Sequence, residues 1–519
     1  MANAGFAISS IKRSLPYTDR HIIDSIDTMP IIQAPSLADV LIQRAQLQPD
    51  RLSHVFMDHI DADQHPLTYG DIDRRARAIA ARLQAIDARR VLLVYPHGPS
   101  FFLAFMACWY AGITPIPVFP PQSRRGMARI DAILRDCAAT HVLSSSDLMA
   151  KVVPWFQEEG IAAGLEWLDT DSVPDSEAVD WRSHRIDPAQ PAFLQYTSGS
   201  TGKPKGVVVS HANLIANEAM LNRCFNHNEE TRIFSWLPFY HDMGLIGPLF
   251  NALYVGVCSY YIPPQAFIRD PMQWLRGISK FRASTTGGPN FAYDLCARKA
   301  TPENCSELDL SCLQVAFNGA EPIRADTLRR FQQTFAPYGF SPSAWLPCYG
   351  MAEATLFISG RRSAPVFKQH EGKTHVSSGK SWGDCEVLAV DPNTRRPVPD
   401  GVTGELWLTG SHVAQGYWNQ PEQTALYFQA QLEHGGAPYL RTGDLGFMDQ
   451  GEIYVTGRLK DLIILRGRNL YPQDLELAAQ NAHSALRLDG GGAFAREAED
   501  GEALVLVQEV ERSQMRGLD

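Results

Sequence analysis

Residues 194–209 read LQYTSGSTGKPKGVVV, a stretch whose residue types suit one task, the holding of phosphate. Thr197, Ser198, Gly199, Ser200, Thr201, Gly202 and Lys203 form a loop between two apolar runs. Glycines let a backbone take positive φ and bring its N–H groups close to an anion. The hydroxyls add donors, and Lys203 and Lys205 add countercharge. A Walker P-loop is a different object, with four residues between its first glycine and its Gly-Lys pair and a helix afterwards. Here Gly199 stands too close to Gly202-Lys203, and Pro204 is followed by the β-branched run Val207–Val209. The plain alternative is a Ser/Gly-rich hairpin turn, which does not usually carry this density of hydroxyls. The loop reads as a cradle for nucleotide phosphates outside the P-loop NTPases.

Such a loop needs a scaffold, and the flanking pattern predicts one. Thr68 is a candidate N-cap for a helix with Ile72, Ala76, Ile79 and Leu83 at helical spacing. A strand at Val91–Tyr95, a helix at Phe101–Ala111, a strand at Ile116–Phe119, a helix at Met127–Ala138 and a strand at His141–Leu143 follow. That alternation predicts an α/β fold with parallel sheet. From about residue 385 the texture changes to short strands, Val387–Val390, Gly404–Thr409 and Gly451–Val455, separated by turn residues. The expected organisation is a leader over 1–35 and a large multi-subdomain N-terminal domain over 36–457, its β-rich subdomain spanning about 385–457. A hinge over 458–472 and a small, partial α+β C-terminal domain over 473–519 complete it. The last part holds a helix near Asp474–Ala479 and a strand at Glu502–Glu511.

Bulk properties exclude several classes. The 519 residues exceed what one hydrophobic core usually serves, and 45% hydrophobic with 20% charged residues is a folded composition. A formal charge of −10, with no basic run, argues against nucleic acid as a partner. The nine cysteines include no CxxC pair, which points to a reducing compartment and neither disulfides nor zinc. Phe101–Pro121 is the most apolar segment, but Gly112, Pro115, Pro117, Pro120 and Pro121 interrupt it, so no membrane span is expected. With no signal peptide legible, the expected location is the cytoplasm.

YTSGSTGKPKGV (Tyr196–Val207) resembles the phosphate-binding signature of the adenylate-forming superfamily of acyl-CoA synthetases, luciferases and peptide-synthetase adenylation domains. WLPFYHDMGLIG (Trp236–Gly247), FNGAEPI (Phe317–Ile323), YGMAEATL (Tyr349–Leu356), YLRTGDLGF (Tyr439–Phe447) and GRLKDLIILRGRNLYPQDLE (Gly457–Glu476) resemble its later motifs, in the family's order. HDMGLIG, GGPNFAYDLC (Gly287–Cys296) and RGRNLYPQDLE (Arg466–Glu476) are similar to the fatty acyl-AMP ligase branch. The resemblance implies ATP, Mg²⁺ and a fatty acid as reactants, an acyl-adenylate as product, and an acyl carrier protein as the next acceptor.

By that resemblance Thr197–Lys203 hold the β- and γ-phosphates, and Glu353 coordinates Mg²⁺. Asn318, Gly319, Ala320 and Glu321 line the adenine pocket, with Tyr349, Gly350 and Met351 against the ring. Asp444 accepts from the ribose hydroxyls, its two oxygens suiting a vicinal diol. Arg458 reaches the ribose or phosphate side, and His241 borders the acyl and α-phosphate site. Met243, Phe291, Tyr293 and Gly319 are expected on the acyl tunnel wall, and Lys460 at the hinge. Taken singly, each has a plainer reading: a helix-start carboxylate for Glu353, a turn residue for Asp444, a structural histidine, a packed tyrosine and a solvated lysine.

Two features depart from the family pattern. Its catalytic lysine lies in a Gly-Lys signature near the end of the C-terminal domain, and none follows Lys460 here. We therefore expect a chain that stops short of that lysine, ending on a strand that lacks partners. Ser377-Ser378-Gly379-Lys380 imitates the signature but lies far upstream and reads as a loop ahead of a strand. The segment Gly360–Ser377 is also short for the insertion that sets fatty acyl-AMP ligases apart. The alternatives to the ligase reading are a fatty acyl-CoA synthetase and a catalytically weak module binding acyl-adenylate or ATP.

Overall fold

The computed structural model describes residues 32–161, 164–198, 204–465, 468–498 and 501–517. The predicted leader thus lies almost wholly outside the described residues. Residues 32–519 group as one compact unit.

A nine-stranded sheet forms the centre, in the order 380–381, 357–360, 345–350, 315–318, 285–288, 232–235, 258–261, 52–56, 65–68. The six strands from 345–350 to 52–56 run parallel, and the outer pairings are antiparallel. Thr285–Gly288 and Val315–Asn318 are buried along their whole length, as expected of parallel strands covered on both faces. Gly287 has a steric reason: a Cβ there would lie 2.2 Å from Cδ2 of Phe317, so the glycine leaves room for that ring.

A second sheet, entirely parallel, runs in the order Thr114–Val118, Arg90–Val94, His141–Ser144, Glu166–Asp169. It matches the predicted alternation, as do helices Pro99–Ala111 and Met127–Cys137. Thr68 caps helix Tyr69–Gln84 through a full capping box with Asp71, and Ile72, Ala76, Ile79 and Leu83 are buried. On either side of the Ser/Thr/Gly stretch, Pro191–Ser198 pairs antiparallel with Pro204–Ser210.

The β-rich region is a four-stranded meander, Glu386–Val390, Gly404–Thr409, Leu440–Asp449 and Glu452–Arg458. Its third strand escaped the sequence reading because Arg441, Thr442, Gly443 and Asp444 break the period-two apolar pattern. A short turn, Leu459–Asp461, a hairpin, Ile463–Leu465 with Arg468–Leu470, and helix Pro472–Gln480 follow.

Ser377–Gly379 is a loop ahead of a strand, as expected, and Lys380 opens that strand: Lys380–Ser381 is the edge of the central sheet, pairing with Phe357–Gly360. Gly379, at φ 80°, packs against the Gly360 backbone at the entry to that strand. The last strand, Gly501–Val510, is not left without a partner: it pairs antiparallel with Leu486–Ala498. Its partner carries Gly490, Gly491 and Gly492, which weaken any strand signal. The segment Gly360–Ser377 forms a small hairpin, Phe367–His370 with Lys373–Val376. Lys373 bonds Asp474 and lies 5.0 Å from the Tyr471 ring centroid, tying this hairpin to helix Pro472–Gln480. Among the described residues no helix is long and apolar enough to cross a membrane. All nine cysteines are free thiols.

Candidate active site

A cavity of about 830 Å³ opens where the central sheet, the parallel sheet's edge, the hairpin and the meander meet. Its lining residues divide by chemistry into a polar set and an apolar set, called here the polar arm and the apolar arm. The polar arm carries Thr197, Lys205, Gly319, Ala320, Tyr349, Gly350, Met351, Glu353, Thr442, Gly443, Arg458 and Lys460. The apolar arm carries Leu221, Phe225, Met243, Gly247, Phe317, Leu356 and Phe357, with His241 and Asp242 at the junction.

The hairpin sets Thr197 opposite Lys205. Lys205 is buried; its Nζ donates to Gln423 Oε1 (2.9 Å) and lies 4.9 and 5.3 Å from the ring centroids of Tyr417 and Tyr427. Burial pulls its pKa below the usual lysine value, and the nearby Glu353 opposes that. Gly199, Ser200, Thr201, Gly202 and Lys203 lie outside the described residues, and Ser198 is placed by its backbone alone.

Glu353 sits in the tight turn Ala352–Ala354, past the end of strand Trp345–Gly350. The Tyr417 hydroxyl donates to its Oε1 at 2.7 Å. Desolvation raises its pKa; that hydrogen bond opposes the rise, while Asp242 and Asp444 add to it. A divalent cation beside Glu353 would favour its charged form. No group of three metal-binding side chains exists among the described residues. One carboxylate with a spare oxygen fits Mg²⁺, which is commonly held by one or two carboxylates plus substrate phosphates.

At the far end of the polar arm, the buried Tyr349 donates its hydroxyl to Asp444 Oδ2 at 2.6 Å. Arg458 Nε lies 3.2 Å from Asp444 Oδ1. Burial raises the Asp444 pKa and Arg458 counteracts it. Glu405 braces the neighbouring turn: its Oε1 accepts from the Gly443 N–H (3.1 Å) and its Oε2 pairs with Arg441 (2.8 Å). Asn318 is fully buried with neither amide atom paired, and Glu321 is exposed; neither belongs to the lining.

At the junction, His241 Nδ1 lies 2.6 Å from Asp242 Oδ1, and that carboxylate raises the imidazole pKa. The turn is tight because Gly244 folds back on Pro238, whose carbonyl oxygen would be 2.3 Å from a Cβ at that position. A π-helical turn, Leu245–Phe250, follows and presents Gly247 to the apolar arm. Two expected tunnel residues are corrected by the geometry. Phe291 packs against Trp236 and Phe267, and Tyr293 is buried with its hydroxyl on the Phe317 carbonyl (2.8 Å); neither reaches the cavity wall.

Sequence reasoning passed over Tyr417, Tyr427, Phe225, Phe357, Glu405 and Arg441. Only Arg441 lay inside a quoted motif. The others sit in strands, helices and loops of ordinary composition, where only the three-dimensional packing marks them.

An apolar arm that meets a polar, metal-competent arm at a histidine joins a carboxylic acid's tail to a nucleotide. Comparison with known proteins agrees. Residues 41–418 match the family described as AMP-binding enzyme, and the chain belongs to that family. It is 38% identical over 513 residues to the medium-chain-fatty-acid–[acyl-carrier-protein] ligase JamA of Moorena producens, covering 93% of this chain and 87% of the relative. It is 35% identical to the ligase of the same description, TtuA, from Teredinibacter turnerae, covering 92% and 84%. Its fold matches the crystal structure of fatty acyl-adenylate ligase from L. pneumophila in complex with acyl adenylate and pyrophosphate. That match has a TM-score of 0.81 and 38% identity, and covers 95% of this chain and 89% of the other. The chain is an adenylate-forming ligase of fatty acids that works with ATP and Mg²⁺, on the α/β fold expected of it.

Proposed function

We propose that the cavity binds ATP and a fatty acid, and that the acyl group of the resulting acyl-adenylate then passes to the phosphopantetheine thiol of an acyl carrier protein, with release of AMP. The observation that carries this reading is a single cavity whose wall holds both a polar set and an apolar set of side chains, with His241, Asp242 and Glu353 among them. A fatty-acid carboxylate oxygen attacks the α-phosphorus of ATP, a P–O bond forms, and the bond to the β-phosphate bridge breaks to release pyrophosphate.

Two anions must approach, so catalysis here is positioning and charge. Bound Mg²⁺ would supply charge neutralisation on the phosphates, and Glu353 would hold it. Thr197 and the loop through Lys203 cradle the β- and γ-phosphates. Gly319, Ala320, Tyr349, Gly350 and Met351 wall the adenine, with Asn318 behind them and Glu321 outside. Asp444 takes the ribose hydroxyls, sharing its oxygens with Tyr349 and Arg458. His241, whose pKa the neighbouring Asp242 raises, faces the α-phosphate. Within these residues Lys205, Arg458 and Lys460 carry the positive charge.

The region 458–472, with Lys460 on the cavity rim, is the proposed hinge between the body (36–457) and the C-terminal part (473–519). JamA and TtuA, as acyl-carrier-protein ligases, support the carrier as acceptor. Nine free thiols support a cytoplasmic location. The test is to supply ATP, Mg²⁺, a medium-chain fatty acid, and either a phosphopantetheinylated carrier or coenzyme A. Acylated carrier with little acyl-CoA is expected. Efficient acyl-CoA formation would move the protein to the synthetase class.

A further inference from the structure

One cation on the cavity wall belongs to no motif. Arg129 lies on helix Met127–Cys137 and lines the cavity beside Pro117, Val118, Phe119, Tyr196 and Thr197. Its Nη2 reaches the Tyr196 carbonyl at 3.5 Å, and among the described residues it pairs with no carboxylate. Four of the other lining cations are engaged. Arg441 is held by Glu405, Arg458 by Asp444, His241 by Asp242, and Lys205 by Gln423 and two tyrosine rings. Lys460 lowers the Asp444 pKa through its charge and belongs to the GRLKDL stretch already described.

The helix is also fixed in place. Asp136, two turns beyond Arg129 and on the same face, accepts a hydrogen bond from the Tyr196 hydroxyl. Met127, Ile130, Leu134 and Cys137 are buried, and Ile133, on the face of Arg129, is buried as well. Arg129 is therefore carried on a rigid element to the point where the hairpin enters the Ser/Thr/Gly loop. A guanidinium fork without a carboxylate partner among the described residues, on the cavity wall with Tyr196 and Thr197, is suited to bind phosphate bidentately.

We infer that Arg129 binds the β- and γ-phosphates of ATP and, after adenylation, the departing pyrophosphate. This rests on the nucleotide occupying the polar arm as proposed above. Since AMP lacks those phosphates, its binding supplies an internal control for folding and for the adenosine contacts.

The experiment is equilibrium titration of the full chain with Mg²⁺–ATP, Mg²⁺–pyrophosphate and AMP, for wild type, Arg129→Gln and Arg129→Lys. Arg129→Gln is expected to weaken ATP and pyrophosphate by about 10- to 100-fold, the worth of one charge-assisted hydrogen-bonding contact. AMP affinity should stay within about twofold, and Arg129→Lys should recover part of the loss, as a point charge without the fork. Unchanged ATP affinity would overturn the inference. So would an equal loss for AMP and ATP, or a defect confined to acyl transfer onto the carrier. Failure of the wild type to bind any of the three ligands would instead overturn the nucleotide reading itself, so the two failures are distinguishable.

Discussion

Gly247 offers the sharpest test of the apolar arm. It lines the cavity from the π-helical turn, and a Cβ there would meet only Leu356 Cδ2, at 3.9 Å. Its φ lies outside the left-handed region, so a side chain brings no backbone strain. Gly247→Val places three carbons in space that an acyl chain would otherwise fill. If two to three methylenes are displaced, at about 0.8 kcal/mol each, the loss is about 1.6–2.4 kcal/mol. That corresponds to about a 15- to 60-fold fall in kcat/KM for chains that reach Gly247. Acids too short to reach it should be activated as before. The assay is competition among fatty acids of graded length in one tube, with each acyl-AMP quantified by mass spectrometry. An unchanged length profile would refute the placement of the acyl chain, and so would an equal loss at every length.

Three further outcomes are expected. Glu353→Ala should lower turnover about 10- to 100-fold and raise the Mg²⁺ concentration for half-maximal rate, the scale of one lost charged contact; a metal titration with unchanged midpoint would remove Glu353 from that role. Asp444→Ala should raise the KM for ATP by at least about tenfold, because the ribose loses its acceptor and Tyr349 its partner; an unaltered ATP dependence would count against the ribose assignment. Glu353 has a raised pKa, so activity that needs its carboxylate should climb as pH rises through that value. The Tyr417 hydroxyl opposes the rise. Tyr417→Phe should therefore move the acidic limb of the pH–rate profile upward, and a limb that stays put or moves down would contradict the coupling.

What the sequence made legible follows from how local each signal is. The capping box at Thr68, the strand at Arg90–Val94 and helix Pro99–Ala111 are written in nearest-neighbour pattern, and they appear where expected. Tyr349, Asp444, Glu353 and Arg458 were legible from motifs, but their mutual contacts were not. Tyr349 was expected to face the adenine ring; its hydroxyl also fixes Asp444, across 95 residues of sequence. Phe291 and Tyr293 misled because aromatic residues near a motif read alike whether they line a cavity or fill a core. Here a neighbouring aromatic cluster claims them. The last strand's partner was hidden by three glycines, since pairing depends on backbone alignment more than on composition.

The most direct measurement is a crystal structure of this chain with a non-hydrolysable acyl-adenylate of medium chain length. The account predicts adenine against Tyr349 and the Gly319–Ala320 edge, ribose on Asp444, and the acyl chain among Phe225, Met243, Phe317 and Phe357. An acyl chain lodged elsewhere would contradict it, for instance in the smaller cavity bounded by His97, Phe119 and Phe239. So would an adenosine bound away from Asp444.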